Sequence, residues 1–224
     1  MYRFLNGLVK ATAFPAYWFC ARTKVHYEDK KAQSRKIKGS AIIISNHTSV
    51  YDYALMLFLF FGRTLRYQMA EVLFKSKNLA RFLKMMGGIF VDRDAYDFSF
   101  VSESIDILEK KGVVGIFPES RLPKPDEERP LPFKPSVTYI ALESEAPIIP
   151  VYTNGVYFSK KRAQVIIGKP IYVRDLWDSA LDEKQNIENI TEALRQKIID
   201  LGEELKKRSQ KKNKNTAAEN ETTN

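Results

Sequence analysis

Residues 41–61 read AIIISNHTSVYDYALMLFLFF. The stretch decides the architecture, because it sets an apolar β-branched run, a polar turn and a second apolar run in immediate succession. AIIIS (41–45) has the composition of a short buried strand, and the uncharged YALMLFLFF (53–61) that of a buried helix. Between them the cluster SNHTSVYD (45–52) holds one of only two histidines in the chain, five positions before an aspartate.

The same alternation continues outward. GGIFV (87–91), GVVGIF (112–117), PIIPVYT (147–153) and AQVIIGKPI (163–171) are short β-branched or aromatic runs bounded by Gly, Pro or polar residues. Helical stretches fill the gaps at 52–61, 70–86, 98–111 and 137–145. A further helix over 184–205 carries Ile187, Ile190, Leu194, Ile198, Leu201 and Leu205 on one stripe. This β-α-β-α order predicts an α/β fold, a sheet covered by helices on its faces. With 224 residues, 44% of them hydrophobic, the chain can bury one full core, and we assign a single domain to 39–205.

The net charge of +9 is concentrated at the ends. Residues 1–38 hold nine Lys/Arg against two acids and residues 206–224 hold six against two, so the body carries a slight acidic excess. A basic stripe on a folded surface with interleaved aromatics, the footprint of a nucleic-acid binder, is therefore not expected. The tail KKRSQKKNKNTAAENETTN (206–224) has no apolar period and reads as a disordered basic tail. Cys20 is the only cysteine, which rules out an internal disulfide framework and fits a reducing compartment.

The basic N-terminus also carries apolar bulk. In MYRFLNGLVKATAFPAYWFCARTK, Arg3, Asn6 and Lys10 fall on one narrow helical face, with Phe4, Leu5, Leu8, Val9, Phe14, Trp18 and Phe19 around the rest. Pro15 is expected to kink or interrupt the helix. Only 11 residues between Lys10 and Arg22 lack charge, short of the ~20 that span a bilayer. Pro15, Tyr17, Trp18 and Phe19 stand where a signal peptide has its small-residue cleavage site. Residues 1–38 read as a helical segment lying in the membrane interface, with Lys/Arg toward anionic lipid. The competing reading is a helix packed on its own domain.

The polar turn has a chemistry of its own. Five residues along a continuous helix would set His47 and Asp52 about 140° apart, so a pair needs the turn. With His47 on the loop and Asp52 in the first helical turn, Ser49 serving as N-cap, the carboxylate reaches back to one ring nitrogen. The other nitrogen is then left to take a proton from an alcohol. Three other readings stand beside this one. Asp52 could serve only as a helix cap; a metal site would have only His26 as a second histidine; and a serine hydrolase would need the G-x-S-x-G elbow, which the chain lacks.

Further blocks follow in order: GGIFVDR (87–93), IFPESRLPKP (116–125) with FKPS (133–136), and APIIPVY (146–152). Together with N-H-x4-D at 46–52, this set resembles the PlsC-type glycerolipid acyltransferases, the lysophosphatidic acid acyltransferase family, over about residues 40–175. The resemblance implies a mixed β-sheet flanked by helices. It implies His47 as general base, Asp52 as its orienting partner and Asn46 shaping the turn. Arg93 closes the second block, and Glu119, Ser120 and Arg121 belong to the third, where the family places acceptor and phosphate contacts. A guanidinium offers a planar fork to a phosphate dianion.

The implied reaction moves a fatty acyl group from acyl-CoA or acyl carrier protein to the free hydroxyl of 1-acyl-glycerol 3-phosphate. It needs no metal and no organic cofactor, and the implied location is the cytoplasmic face of the cell membrane, peripheral or monotopic. One departure stands out: the family's F-P-E-G-T-R has arginine three after glutamate, whereas Arg121 comes two after Glu119. Acceptors other than lysophosphatidate, another lysophospholipid or lipid-linked alcohol, stay open. So does a non-catalytic basic membrane-binding protein, against which the intact His47 and Asp52 argue. Arg121 could alternatively pair with Asp126, Glu127 or Glu128. YALMLFLFF could line an acyl slot or be a plain core helix, and the basic stripe of Lys77, Arg81 and Lys84 could face a membrane, a phosphate-bearing carrier or simply solvent.

Overall fold

The computed structural model describes residues 2–21, 23–93, 97–159 and 162–221. The elements run α1 (Tyr2–Ala21), β1 (Lys24–Tyr27), β2 (Ala41–Ser45), α2 (Asp52–Leu59), β3 (Leu65–Ala70), α3 (Lys77–Met86) and β4 (Ile89–Val91), then α4 (Ser99–Glu109), β5 (Val113–Ile116), α5 (Ser136–Ser144), β6 (Ile148–Thr153), β7 (Gln164–Ile167) and α6 (Glu183–Glu221). The strands form one sheet in the order β1-β7-β6-β2-β5-β3-β4. Its pairings are parallel except β6 with β7, so the sheet is mixed.

Successive residues of a strand point to opposite faces, and β2 at the centre divides the core accordingly. Ile43 packs with Leu55, Leu59 and Phe60 from the α2 region and with Leu83 and Met86 of α3. Ile42 and Ile44 pack on the other face with Leu108 of α4, Val137 and Ile140 of α5, and Ile190, Leu194 and Ile198 of α6. The stripe assigned to 184–205 from its spacing is thus the face of α6 that covers the sheet.

Two strands differ from the sequence reading. KVHY (24–27) forms β1 at the sheet edge, and LRYQMA (65–70) forms β3, so the helix expected from residue 70 starts only at Lys77 after a 3-10 turn over Glu71–Phe74. β3 alternates buried Leu65, Tyr67 and Met69 with half-buried Arg66 and Gln68, a two-residue period hidden among polar letters.

α1 departs in two respects. It continues uninterrupted through Pro15, where a kink or an interruption was expected. Contacts hold both halves on α2: Lys10 binds carbonyls at its end, and beyond the proline Tyr17 stacks on Phe58 with ring centroids 4.3 Å apart. The polar face also points inward rather than toward lipid. Asn6 Nδ2 donates to Met86 O at 2.8 Å, and the Lys10 ammonium, 3% exposed, donates to the carbonyls of Phe61 (3.1 Å) and Arg63 (2.6 Å), with Phe60 O at 3.5 Å. A helix C-terminus leaves its last carbonyls without intrahelical partners, and Lys10 and Arg35, which donates to Phe58 O and Leu59 O, supply donors and positive charge there. The apolar side chains Phe4, Leu8 and Phe14 face outward. The side chains of Arg3, Trp18 and Phe19 lie outside the described residues.

At the other end, α6 runs on to Glu221 where disorder was expected from 206. No Gly or Pro occurs between 203 and 221 to stop it. Arg208 donates to Tyr27 O and Ser209 to Gln164 Oε1, which ties the helix to the β1–β7 edge.

Candidate active site

The loops that follow β2, β3, β4, β5 and β6 leave the same edge of the sheet, the carboxyl edge of its parallel strands, where open α/β sheets place their ligands. SNHTSVYD is the loop after β2, and the histidine and aspartate meet there. His47 Nδ1 lies 2.9 Å from Asp52 Oδ2. Asp52 is fully buried and its carboxylate is saturated with donors: Thr48 N (2.6 Å) and Ser49 N (2.8 Å) also bind Oδ2, while Thr48 Oγ1 (2.9 Å) and the Tyr157 hydroxyl bind Oδ1. Burial alone would raise this carboxyl, but the hydrogen bonds from His47, Tyr157, Ser49 and Thr48 outweigh it and hold it below the usual carboxylate range. An ionised Asp52 only accepts, so Nδ1 carries the proton of the neutral imidazole and Nε2 is its basic nitrogen.

The N-terminus of α2 follows from the same bonds. Asp52 takes the Ser49 amide proton, as in a capping box, but the Ser49 hydroxyl accepts from Tyr51 N at 3.3 Å and Tyr51 itself holds the cap position. The ring of His47 stacks on Phe117, the residue after β5, with centroids 4.2 Å apart and planes 11° from parallel. Phe117 in turn leans on Tyr67 of β3. Gly115 is required beneath it, since a Cβ there would stand 2.2 Å from the Tyr67 ring.

The remaining site residues divide into two groups. Asn46 and Glu119 hold backbone. Asn46 Nδ2 donates to Thr153 O and its Oδ1 accepts from Thr153 N, both at 2.9 Å, which pins the His47 loop to the end of β6. The Glu119 carboxylate accepts from His47 N at 2.7 Å and from Leu131 N at 2.8 Å, pinning the same loop to the segment after β5. Burial pushes the Glu119 carboxyl up despite these donors. Asn46 was expected to shape the turn and Glu119 to lie among the acceptor contacts; both are buried, with their polar atoms bonded to the chain. Ser120 adopts the left-handed conformation, φ +60°, at the position where the resembled motif has glycine.

The two arginines are in bidentate ion pairs at the surface. Arg93 binds Glu71 through Nε and Nη2 (3.0 and 2.7 Å) and donates to Ser120 O at 3.2 Å. Arg121 binds Glu127 with both Nη atoms at 2.6 Å, the local pairing weighed above. Arg93 holds Glu71 down to about 2, and Arg121 does the same to Glu127. The bond from Arg93 to Ser120 O sets it against the loop whose Glu119 carries the His47 amide. Among the described residues no group of three His, Cys, Asp or Glu stands together to hold a metal.

The sequence reading did not single out Thr48, Thr153, Tyr157 or Glu71. Phe117 was quoted within a motif without a role. Tyr157 lies 105 residues from Asp52 and outside every quoted motif, so only the fold brings it to the site.

The mixed sheet thus carries at its carboxyl edge a His–Asp pair, the aspartate buried and the imidazole partly exposed, with Arg93 and Arg121 at the surface nearby. The acyltransferase family model matches residues 22–154, and the chain belongs to that family. Among solved structures, the crystal structure of the 1-acyl-sn-glycerophosphate (LPA) acyltransferase PlsC from Thermotoga maritima is similar in fold, with a TM-score of 0.61 at 20% identity, covering 90% of this chain and 81% of that one.

Proposed function

We propose that this acyltransferase moves a fatty acyl group from acyl-CoA or acyl carrier protein to the free hydroxyl of 1-acyl-glycerol 3-phosphate, giving phosphatidic acid. The observation that carries the reading is the His47–Asp52 pair, one imidazole nitrogen fixed by a buried carboxylate and the other left basic. His47 Nε2 takes the hydroxyl proton as the acceptor oxygen attacks the thioester carbon. The C–O bond forms, the C–S bond breaks, and the imidazolium returns its proton to the leaving thiolate. Asp52 stabilises the imidazolium between these steps.

Lipid chemistry is supported by the rim. Val50 and Tyr51 after β2, Val72 and Leu73 after β3, Leu122 after β5 and Phe158 after β6 are exposed apolar side chains in the loops at the carboxyl edge. Exposed apolar clusters rimmed by polar groups mark binding surfaces. Phe4, Leu8 and Phe14 of α1, with Phe61, Leu79 and Phe82, add an outward apolar surface on the α2–α3 face. Among the described residues no helix is long and apolar enough to cross a membrane. Peripheral seating on the cytoplasmic face of the cell membrane is the arrangement we propose.

A second acceptor is favoured by one observation. Arg121 stands one position nearer Glu119 than in the resembled motif and is paired locally with Glu127, which suits another lysophospholipid. The test uses purified full-length protein, labelled palmitoyl-CoA and a panel of lysophospholipids. Preferential conversion of lysophosphatidate supports the first reading. Preference for a zwitterionic lysolipid supports the second, and no transfer to any acceptor from CoA or carrier-protein donors overturns both.

A further inference from the structure

We infer that Tyr157 is a positioning residue of the His47–Asp52 pair, a third member that fixes the carboxylate and weakens its pull on the imidazole. The inference rests on the reading of His47 as base. Of the donors to Asp52, the His47 ring and the Thr48 and Ser49 groups all belong to the loop after β2 itself. Among the described residues Tyr157 alone comes from another segment, the loop after β6, and its hydroxyl donates to Oδ1, the oxygen that does not face His47. Oδ2 is thereby left to the imidazole and the two amides.

The geometry is built rather than incidental. Asn46 and Thr153 clasp the same two segments through a reciprocal pair of bonds. Gly155, at φ +66°, brings the chain so close to Thr48 that a Cβ would stand 2.6 Å from its Oγ1. The Asn154 side chain accepts from Val156 N (3.2 Å) and Gln164 N (3.0 Å), closing the loop that presents Tyr157. The Tyr157 ring lies beside Tyr51, which meets Phe158 edge-on, so the loops after β2 and β6 are joined by ring contacts as well.

The chemical consequence has a definite sign. A phenol that donates to a carboxylate draws charge from it. Removing the donor leaves Asp52 more negative toward His47, favours the imidazolium, and lowers the fraction of neutral base at a given pH. The acid limb of kcat/KM then moves to higher pH. Among the described residues the other ionisable groups near the pair are Glu119 behind the His47 amide and Tyr67 of β3, with Tyr53 of α2 against Tyr67 and the Arg93–Glu71 and Arg121–Glu127 pairs at the surface. None of them bonds the Tyr157 hydroxyl, and Tyr157→Phe leaves all of them in place.

The test compares full-length wild type with Tyr157→Phe. In palmitoyl-CoA transfer to lysophosphatidate at subsaturating acceptor, from about pH 5 to pH 9, the acid limb of the variant moves to higher pH. At the alkaline plateau its kcat/KM falls about 3- to 10-fold from looser orientation of the carboxylate. Imidazole titration by NMR gives the second readout. Only two histidines contribute, and the resonance lost in His47→Ala identifies the one that matters. Its midpoint moves by the same amount as the limb.

A folded Tyr157→Phe protein whose limb and imidazole midpoint both overlay the wild type overturns the role of Tyr157 while leaving His47 as base. Full turnover by His47→Ala overturns the base instead, and the NMR midpoint still decides whether Tyr157 acts through Asp52. A purely structural role would lower stability or rate without moving either midpoint.

Discussion

At the scale of single residues, Arg93 and Arg121 at the carboxyl edge offer exposed guanidinium groups to an acceptor phosphate, and they differ in what surrounds them. Arg121 sits in a turn of its own making with Glu127, whose second oxygen also takes Lys124 N. Arg93 bridges Glu71 and the Ser120 carbonyl, next to the glutamate that holds the His47 loop. Both pairs are solvent-exposed and individually weak, so a dianion can displace the carboxylate from either. We expect Arg93→Ala to raise the acceptor KM about 10- to 150-fold, the equivalent of one charge-assisted hydrogen bond lost from ground and transition state alike. Arg121→Ala is expected to change it less than about threefold, as for an exposed loop pair. Initial rates against acceptor concentration, with the acyl donor saturating, check both. A large KM effect confined to Arg121→Ala would move the phosphate to the third block. Lys at 93 should recover only part of the loss, keeping the charge without the fork.

At the scale of elements, the chain is held by polar side chains that finish what helices and loops leave open. α2 has Arg35 and Lys10 at its C-terminal carbonyls, and α1 is docked by that same lysine. Burial lowers Lys10 to about 8. Lys10→Met keeps the length and apolar stem but removes the donors. We expect it to cost about 1–3 kcal/mol, the penalty of leaving carbonyls partly unpaired, and to speed amide exchange along α1. Exchange across α1 as slow as in the wild type would show that apolar contacts alone hold the helix.

What the sequence disclosed follows the same division. AIIIS, GGIFV, GVVGIF, PIIPVYT and AQVIIGKPI each contain a strand, because uninterrupted β-branched runs have few other uses. KVHY and LRYQMA were not read as strands, since their polar letters mask a short period. The docking face of α1 was misjudged because a polar stripe normally means solvent, and nothing local tells Lys10 that carbonyls await it 50 residues on. His47 and Asp52 were legible as a pair from spacing and turn position. That Asn46 and Glu119 serve backbone, and that Tyr157 reaches Asp52, depends on segments that meet only in the folded sheet.

At the scale of the whole molecule, the distribution of charge and exposed apolar groups gives the protein a side. Basic residues gather in the N-terminal 38 positions and again after 205, while Phe4, Leu8, Phe14, Phe61, Leu79 and Phe82 face outward around α1 and α3. Lys77, Arg81 and Lys84 of α3 stand beside them. An apolar surface bordered by cations suits the interface of an anionic bilayer, with each buried side chain adding to an attraction that salt screens. Replacing Phe4, Leu8 and Phe14 together by serine is expected to reduce co-sedimentation with phosphatidylglycerol-containing vesicles at least about tenfold in apparent affinity, since each buried aromatic or leucine contributes about 1.5–3 kcal/mol. Added salt should weaken binding of the wild type. Undiminished sedimentation of the triple variant would place the membrane contact elsewhere.

The central claim is that His47 is the general base of acyl transfer, and one rate decides it most directly. The kcat of full-length His47→Ala, measured with labelled palmitoyl-CoA and saturating lysophosphatidate at pH 8, is expected to fall at least about 100-fold below wild type, as for a lost general base. The fold should survive, because the imidazole occupies a polar loop while Asn46, Glu119 and Asp52 continue to hold the backbone around it. A folded His47→Ala protein that turns over within about threefold of wild type, well inside any general-base contribution, would contradict the account.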